Sequence, residues 1–336
     1  MRPIIAISMG DYNGIGPEVV LKTLKKAEEN RVIPLILGNE KVFRFYLEIL
    51  GMEMNLQPLD QFNQAEILKG INSDAIPLLN CTGNTLLELK PGTLSREAGK
   101  ASMQAVETGV DLCLKNQTHA LVTAPISKEA IQRAGYKYPG HTEFLAERTS
   151  ESNFMMMMVS QQLRIGLATI HIPLSEVPLN IHKHSILRFL QLFQKSLRED
   201  FNIAEPRVAV LGLNPHAGDG GVIGREEREI LSPAIQEAAG TSGKIDGPFA
   251  ADGFFGNKLY EGYDGVLAMY HDQGLIPFKT LTFGAGVNFS AGLPIIRTSP
   301  DHGTAFGIAG KNQASHKSFE SSYQLAIRLA YNKLTQ

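Results

Sequence analysis

Residues 266–277 read VLAMYHDQGLIP. Val266 to Tyr270 form a mostly apolar run without alternation, so a strand here would be covered on both faces. That is the habit of strands in parallel sheets flanked by helices, not of strands in a sandwich. The run ends on His271 and Asp272, two groups poorly suited to burial. Further runs of this kind lie at Ile4 to Ser8, Leu35 to Leu37, Ala120 to Thr123, Leu167 to Ile170 and Val208 to Leu211. Helical patterns fall between and after them. Pro17 to Glu29 opens with a proline suited to the first helical turn, and Ser95 to Leu114 carries Ala98, Ala101, Ala105 and Val106 along one face. Ser185 to Leu197, Glu226 to Ala239 and Phe319 to Leu334 complete the set. Strands alternating with helices predict an α/β fold.

The length of 336 residues exceeds one compact layer and predicts two lobes with a cleft, although no shift in composition marks a boundary. From Pro277 to Gly310 the chain is rich in Gly and Thr. Short strands and many turns are expected there, making it poor core material and a natural wall for a binding site. With 43% hydrophobic and 20% charged residues and a net charge of −2, nothing steers the chain toward nucleic acid or a lipid surface. The longest apolar run, FMMMMVS at residues 154–160, is far short of the roughly 20 residues that span a bilayer. The N-terminal apolar run reads as a first strand, not a secretory signal. Cys81 and Cys113 form no C-x-x-C pair and read as free thiols of a reducing, cytoplasmic compartment.

The histidine at the end of the first stretch has counterparts. LATIHIP ends an apolar run on His171, and VLGLNPHAGDGG reaches His216 five residues after Leu211. Ligands of open α/β sheets bind beyond the carboxyl ends of strands. Three imidazoles converging there would make a metal site with open coordination positions, as catalysis requires. A single histidine at a strand end is more often a hydrogen-bonded structural residue, and separations of 45 and 55 residues are not specific by themselves. PGHTEFLAERT places His141 and Thr142 at a helix start, where free N–H groups favour an anion. They could equally serve as a simple cap. Lys279, Asn288 and Arg297 are spread through the Gly-rich stretch, and arginine suits bidentate binding of phosphate or carboxylate. MGDYNGIGPE, residues 9–18, joins a first strand to a first helix through glycines. It lacks the G-x-G-x-x-G spacing of a dinucleotide fingerprint, although a glycine turn near an anion is expected.

Taken together, MGDYNGIGPE, TAPISKEAI, PGHTEFLA, HIPLSEV, GLNPHAGDGGVIGREE, YHDQGLIPFK and GVNFSAGLPIIRTSPDHGTAFGIAG resemble the 4-hydroxythreonine-4-phosphate dehydrogenase family almost end to end. The resemblance implies two α/β/α lobes, similar to isocitrate and isopropylmalate dehydrogenases. One lobe would be built from the chain ends and the other from the middle. The cleft between them would be lined by residues 141–142, 171, 216 and 271–297. It further implies metal ligands at His171, His216 and His271, and substrate contacts at His141, Thr142, Lys279, Asn288 and Arg297. The family forms homodimers in which the third histidine is contributed across the interface by the other subunit. Two departures stand out: Tyr12-Asn13 replaces Pro-Ala, and Ala251-Asp252-Gly253 replaces Ala-Asp-Thr.

The implied reaction is NAD- or NADP-dependent oxidation of 4-phosphooxy-L-threonine to 2-amino-3-oxo-4-phosphooxybutanoate. That β-keto acid decarboxylates to 3-amino-2-oxopropyl phosphate, a step toward pyridoxal 5'-phosphate. One divalent cation, Zn, Co, Mg or Mn, would sit on the three histidines. Three nitrogens favour Zn or Co over Mg. Asp252, Asp272 or a water on the cation would take the alcohol proton. A sister branch that oxidises 4-phospho-D-threonate and 4-phospho-D-erythronate carries the same motifs. Two rivals from other classes are a metal-dependent phosphoester hydrolase, which would release phosphate without nicotinamide, and a non-catalytic phosphoester-binding protein.

Overall fold

The computed structural model describes residues 2–26, 32–70, 75–83, 87–138, 140–242 and 244–335. The chain divides into two compact units, Met1–Ser152 with Leu293–Tyr331, and Asn153–Gly292 with Asn332–Gln336.

The first unit is built on six strands: β1 (Ile4–Ser8), β2 (Ile33–Gly38), β3 (Leu56–Leu59), β4 (Ile76–Asn80), β5 (Ala120–Thr123) and β12 (Arg297–Pro300). They run parallel in the order β3-β4-β2-β1-β5-β12. All five residues of β1 and all four of β5 are buried, as continuous apolar strands under helices on both faces should be. The connecting helices are α1 (Gly16–Lys26), α2 (Glu40–Leu50), α3 (Gln64–Gly70), α4 (Arg96–Leu114), α5 (Lys128–Arg133) and α6 (His141–Arg148), and α12 (Lys317–Leu334) follows β12. Ser95 starts α4 by accepting the Ala98 N–H on its hydroxyl. Small residues let α4 approach α5 closely: a Cβ on Gly99 would stand 2.2 Å from the Ala130 carbonyl oxygen.

The second unit holds β6 (Met155–Val159), β7 (Arg164–Leu167), β8 (Arg207–Leu211), β9 (Lys244–Phe249), β10 (Gly265–Ala268) and β11 (Val287–Ala291) in the order β11-β6-β7-β10-β8-β9. β6 runs antiparallel to both of its neighbours, and the remaining pairs are parallel. Its helices are α7 (Val177–Asn180), α8 (Lys183–Glu199), α9 (Ser232–Ser242), α10 (Ala251–Gly256) and α11 (His271–Thr282). A core of Met156, Met158, Ile165, Leu167, Ala209, Leu211, Val266, Leu275 and Phe278 ties the sheet to α11.

Three expectations need correction. The strand expected at 167–170 ends at Leu167, although Ala168 and Thr169 still donate to Ala268 and Met269. Pro277 does not begin an irregular stretch. It lies inside α11, where the lost N–H of proline is tolerated while Leu275 and Phe278 bury. The Gly-rich stretch is also not poor core material, because β12 is buried at all four residues and β11 at four of five. Among the described residues no helix is long and apolar enough to cross a membrane.

Candidate active site

Strand order explains which histidines meet. β10 pairs in parallel with β7 on one side and β8 on the other, so the segments leaving their carboxyl ends are neighbours. His271 opens α11 directly after β10, and His171 follows β7. Their rings lie 5.9 Å apart, tilted by 43°. A histidine nitrogen binds a cation at about 2 Å, which puts each ring centre roughly 3 Å from it, so two rings sharing one ion stand about 5–6 Å apart. Nδ1 of His271 shares a 2.8 Å hydrogen bond with Oδ1 of Asp272, which leaves Nε2 as the free lone pair. A carboxylate on the far nitrogen is the usual brace of a metal-binding imidazole. The pair therefore fits a divalent cation. It is an incomplete set, since no three His, Cys, Asp or Glu side chains of this one chain are grouped to hold an ion, among the described residues.

His216 follows β8 on an unusual backbone. His216, Ala217, Gly218, Asp219, Gly220 and Gly221 all have positive φ, between 42° and 104°. Six successive left-handed residues are rare, because each non-glycine residue there costs roughly 1–2 kcal/mol. Three of the six are not glycine. His216 and Asp219 project into solvent from this turn.

Apolar side chains are exposed close in sequence to all three histidines. Leu174 and Leu179 follow His171, Val222 and Ile223 follow His216, and Ile276, Leu281 and Phe283 follow His271. Phe283 is 88% exposed and itself left-handed, with φ 47°. Lys279 stands exposed on α11, and Asp252 is exposed in the first turn of α10. Asn288 sits in β11 opposite Met158, with Oδ1 buried and unpartnered in the described residues.

The first unit carries the remaining predicted residues. Arg297 lies in β12 at 2% exposure, and its Nε and Nη2 both donate to Thr123 Oγ1, at 3.1 and 2.7 Å. Burial pushes the guanidinium down to about 9, against the opposing pull of Glu143. His141 begins α6. Burial first and the nearby Arg297 charge second hold its imidazole well below the ordinary histidine value, and its buried Nε2 has no partner among the described residues. Gly140 caps α6 in extended conformation without a side-chain hydrogen bond, and Thr142 places its backbone in the first turn. A buried cation, a neutral imidazole with an open nitrogen and an uncapped helix start together suit a phosphate or carboxylate.

The glycine turn at residues 10–16 does not provide the expected anion cradle. A Cβ on Gly10 would meet the Pro125 carbonyl oxygen at 2.5 Å, on Gly14 the Thr304 oxygen at 2.9 Å, and on Gly16 the Met9 oxygen at 2.4 Å. The glycines admit the chain's own backbone, and the N–H groups of Asp11, Gly14 and Ile15 are spent on Pro125, Asp11 and Thr304. Asp11 escaped the sequence reading. It is fully buried, accepts the Asn13 N–H on Oδ1, and is raised by burial to about 6.

A family model described as pyridoxal phosphate biosynthetic protein PdxA matches residues 30–326. A 4-hydroxythreonine-4-phosphate dehydrogenase of Prosthecochloris aestuarii is 45% identical over 98% of both chains. One from Bacteroides thetaiotaomicron is 41% identical, over 98% of this chain and 89% of the relative. The crystal structure of a 4-hydroxythreonine-4-phosphate dehydrogenase from Klebsiella pneumoniae superposes with a TM-score of 0.86 at 34% identity, covering 98% of each chain.

Proposed function

Because the chain belongs to the PdxA family, whose members named above are 4-hydroxythreonine-4-phosphate dehydrogenases, we propose that it oxidises 4-phosphooxy-L-threonine with NAD or NADP. The product, 2-amino-3-oxo-4-phosphooxybutanoate, then loses CO2 to give 3-amino-2-oxopropyl phosphate. The single observation that carries the reading is the His171–His271 pair with Asp272 braced against His271.

In this proposal His171 and His271 of one subunit hold a divalent cation, and His216 of a second subunit completes the set. The exposed leucines, isoleucine, valine and phenylalanine next to the histidines support a homodimer with this surface at its interface, since exposed apolar patches mark association sites. When bound, the cation supplies positive charge beside the substrate oxygens and the nicotinamide supplies a hydride acceptor. Arg297 and the first turn of α6 bind a phosphate or carboxylate group of the substrate and so orient it. The neutral His141 donates or accepts a hydrogen bond through Nε2 without adding charge. The Asp272 carboxylate is engaged by His271, so Asp252 is the candidate to accept the alcohol proton. Cys81 and Cys113, which form no disulfide, suit a reducing cytoplasm.

Subunit mixing tests the arrangement. His216→Ala and His171→Ala are each expected to abolish NAD(P)H formation from 4-phosphooxy-L-threonine while the fold is retained. Co-expressed as a mixed dimer, they restore one intact site of two. A mixture of His171→Ala with His271→Ala restores none. Complementation by the second mixture instead of the first would overthrow the assignment of His216 to the partner.

A further inference from the structure

The left-handed run at residues 216–221 needs a support that local sequence does not supply, and the second unit contains one. Glu227, at 4% exposure, opens a π-helical turn (Glu227–Leu231) that leads into α9. Its Oε1 accepts the backbone N–H of Asn214 at 2.7 Å, and its Oε2 accepts the Asn214 side-chain amide at 3.0 Å. The same amide also donates to Glu226 at 2.8 Å, and Glu226 in turn accepts the Arg225 N–H. Gly218, inside the run, lies so close that a Cβ there would stand 2.5 Å from Glu227 Oε2. Asn214 stands two residues before the run, with Pro215 between, and its carbonyl accepts the Ala217 N–H inside the run. The carboxylate of Glu227 thus holds the residue that leads into the left-handed run and backs the run's middle at Gly218.

We propose that Glu227 is a positioning residue for His216. Through Asn214 it holds the left-handed turn in the one conformation that presents this imidazole outward. The inference rests on the reading of His216 as a cation ligand, but the clamp itself is a property of the chain. The π turn has a reason in this arrangement. An extra residue in one helical turn shifts side-chain direction, and π turns gather at functional sites. Backbone held in left-handed geometry persists only where its surroundings enforce it. A residue that orients a metal ligand from behind changes affinity by about 10- to 100-fold when removed.

The test uses the full-length protein stripped of metal and titrated with Co2+, followed by its visible absorption spectrum, with amide hydrogen exchange measured in parallel. Glu227→Ala is expected to keep the wild-type circular dichroism. Its Co2+ affinity should fall about 10- to 100-fold with an altered spectrum, and amide exchange at 216–223 should speed up. Glu227→Gln keeps an oxygen for the Asn214 N–H but turns a donor toward the Asn214 side-chain amide, and is expected to fall between wild type and Glu227→Ala in Co2+ affinity and in amide exchange. If Glu227→Ala fails to fold, Asn214→Ala removes the same side-chain link and is expected to show the same losses. Wild-type Co2+ affinity and unchanged exchange in the folded variant overturn the proposal. A wild type that takes up no Co2+ sinks the ligand reading instead, and the clamp is then decided by exchange alone: unchanged exchange at 216–223 overturns it.

Discussion

Arg297 and His216, the side chains proposed to bind substrate and cation, are placed in opposite ways. Arg297 is buried in a strand of the first unit, with its donors engaged by Thr123 and its charge already desolvated. His216 stands in solvent on a left-handed turn of the second unit, amid exposed Val222 and Ile223. The first region gathers a buried cation, a helix start and a neutral imidazole on β12 and α6 of a single unit. The second displays two facing imidazoles, a third on a strained turn and a set of uncovered apolar groups. A site completed within its own chain tolerates loss of a partner, whereas a site left open does not. The two regions should therefore respond differently to the same perturbations.

The largest effect is expected from breaking the proposed homodimer. Phe283→Asp combined with Leu179→Asp places two carboxylates on the exposed apolar surface and should yield a monomer in sedimentation experiments. Turnover and Co2+ binding should vanish, while inorganic phosphate binding measured by calorimetry changes by less than about threefold, because exposed substitutions disturb buried sites little. A monomer that retains full turnover breaks the contrast between the regions.

The converse substitution addresses the first region. Arg297→Lys keeps a positive charge but loses the planar fork that spans Thr123. A fall in kcat/KM of about 10²- to 10³-fold is expected, the scale seen when one preorganised donor of an active site is removed. Co2+ affinity should not move. Loss of Co2+ binding in this variant would mean that the second region depends on Arg297 after all.

The sequence exposed these regions unequally. β1 and β5 were legible to the residue because unbroken apolar runs have few other uses, and α4 was legible because Ser95 caps it. The start of α6 at His141 followed from the same logic. β12 was not legible as core: three of the four residues of RTSP are polar, yet all four are buried beside β5 and α12, with Thr298 donating to the Ser322 carbonyl. α11 was obscured by Pro277, ordinarily a stop signal. Each histidine at a strand end could be picked out singly, but the meeting of His171 with His271 depends on the order β7-β10-β8, which no local pattern encodes. HAGDGG hints at positive φ through its glycines, but not at six such residues in succession. Glu227 was invisible for a related reason. In REEREI it reads as an ordinary charge on a helix, and only Asn214, folded against it, reveals a buried carboxylate with two partners.

The smallest effect separates the regions by pH. His141 is held well below its ordinary value, so the folded state keeps it neutral while the unfolded chain protonates it near 6.5. A depressed value means that stability is fully present above pH 6.5 and declines as pH falls, by up to about 1.4 kcal/mol per pH unit until the folded-state value is reached. His119 and His316, also lowered by burial, lose stability in the same direction. Asp11, raised to about 6, acts oppositely and recovers stability between about 6 and 3.8. Comparing His141→Asn with wild type cancels those shared contributions. Urea unfolding between pH 5 and 8 should show the variant losing less stability on acidification, with the curves parallel above pH 7. If His141→Asn instead leaves the slope unchanged, the imidazole is not desolvated in solution, and the first region is more open to water than its burial in the structure implies.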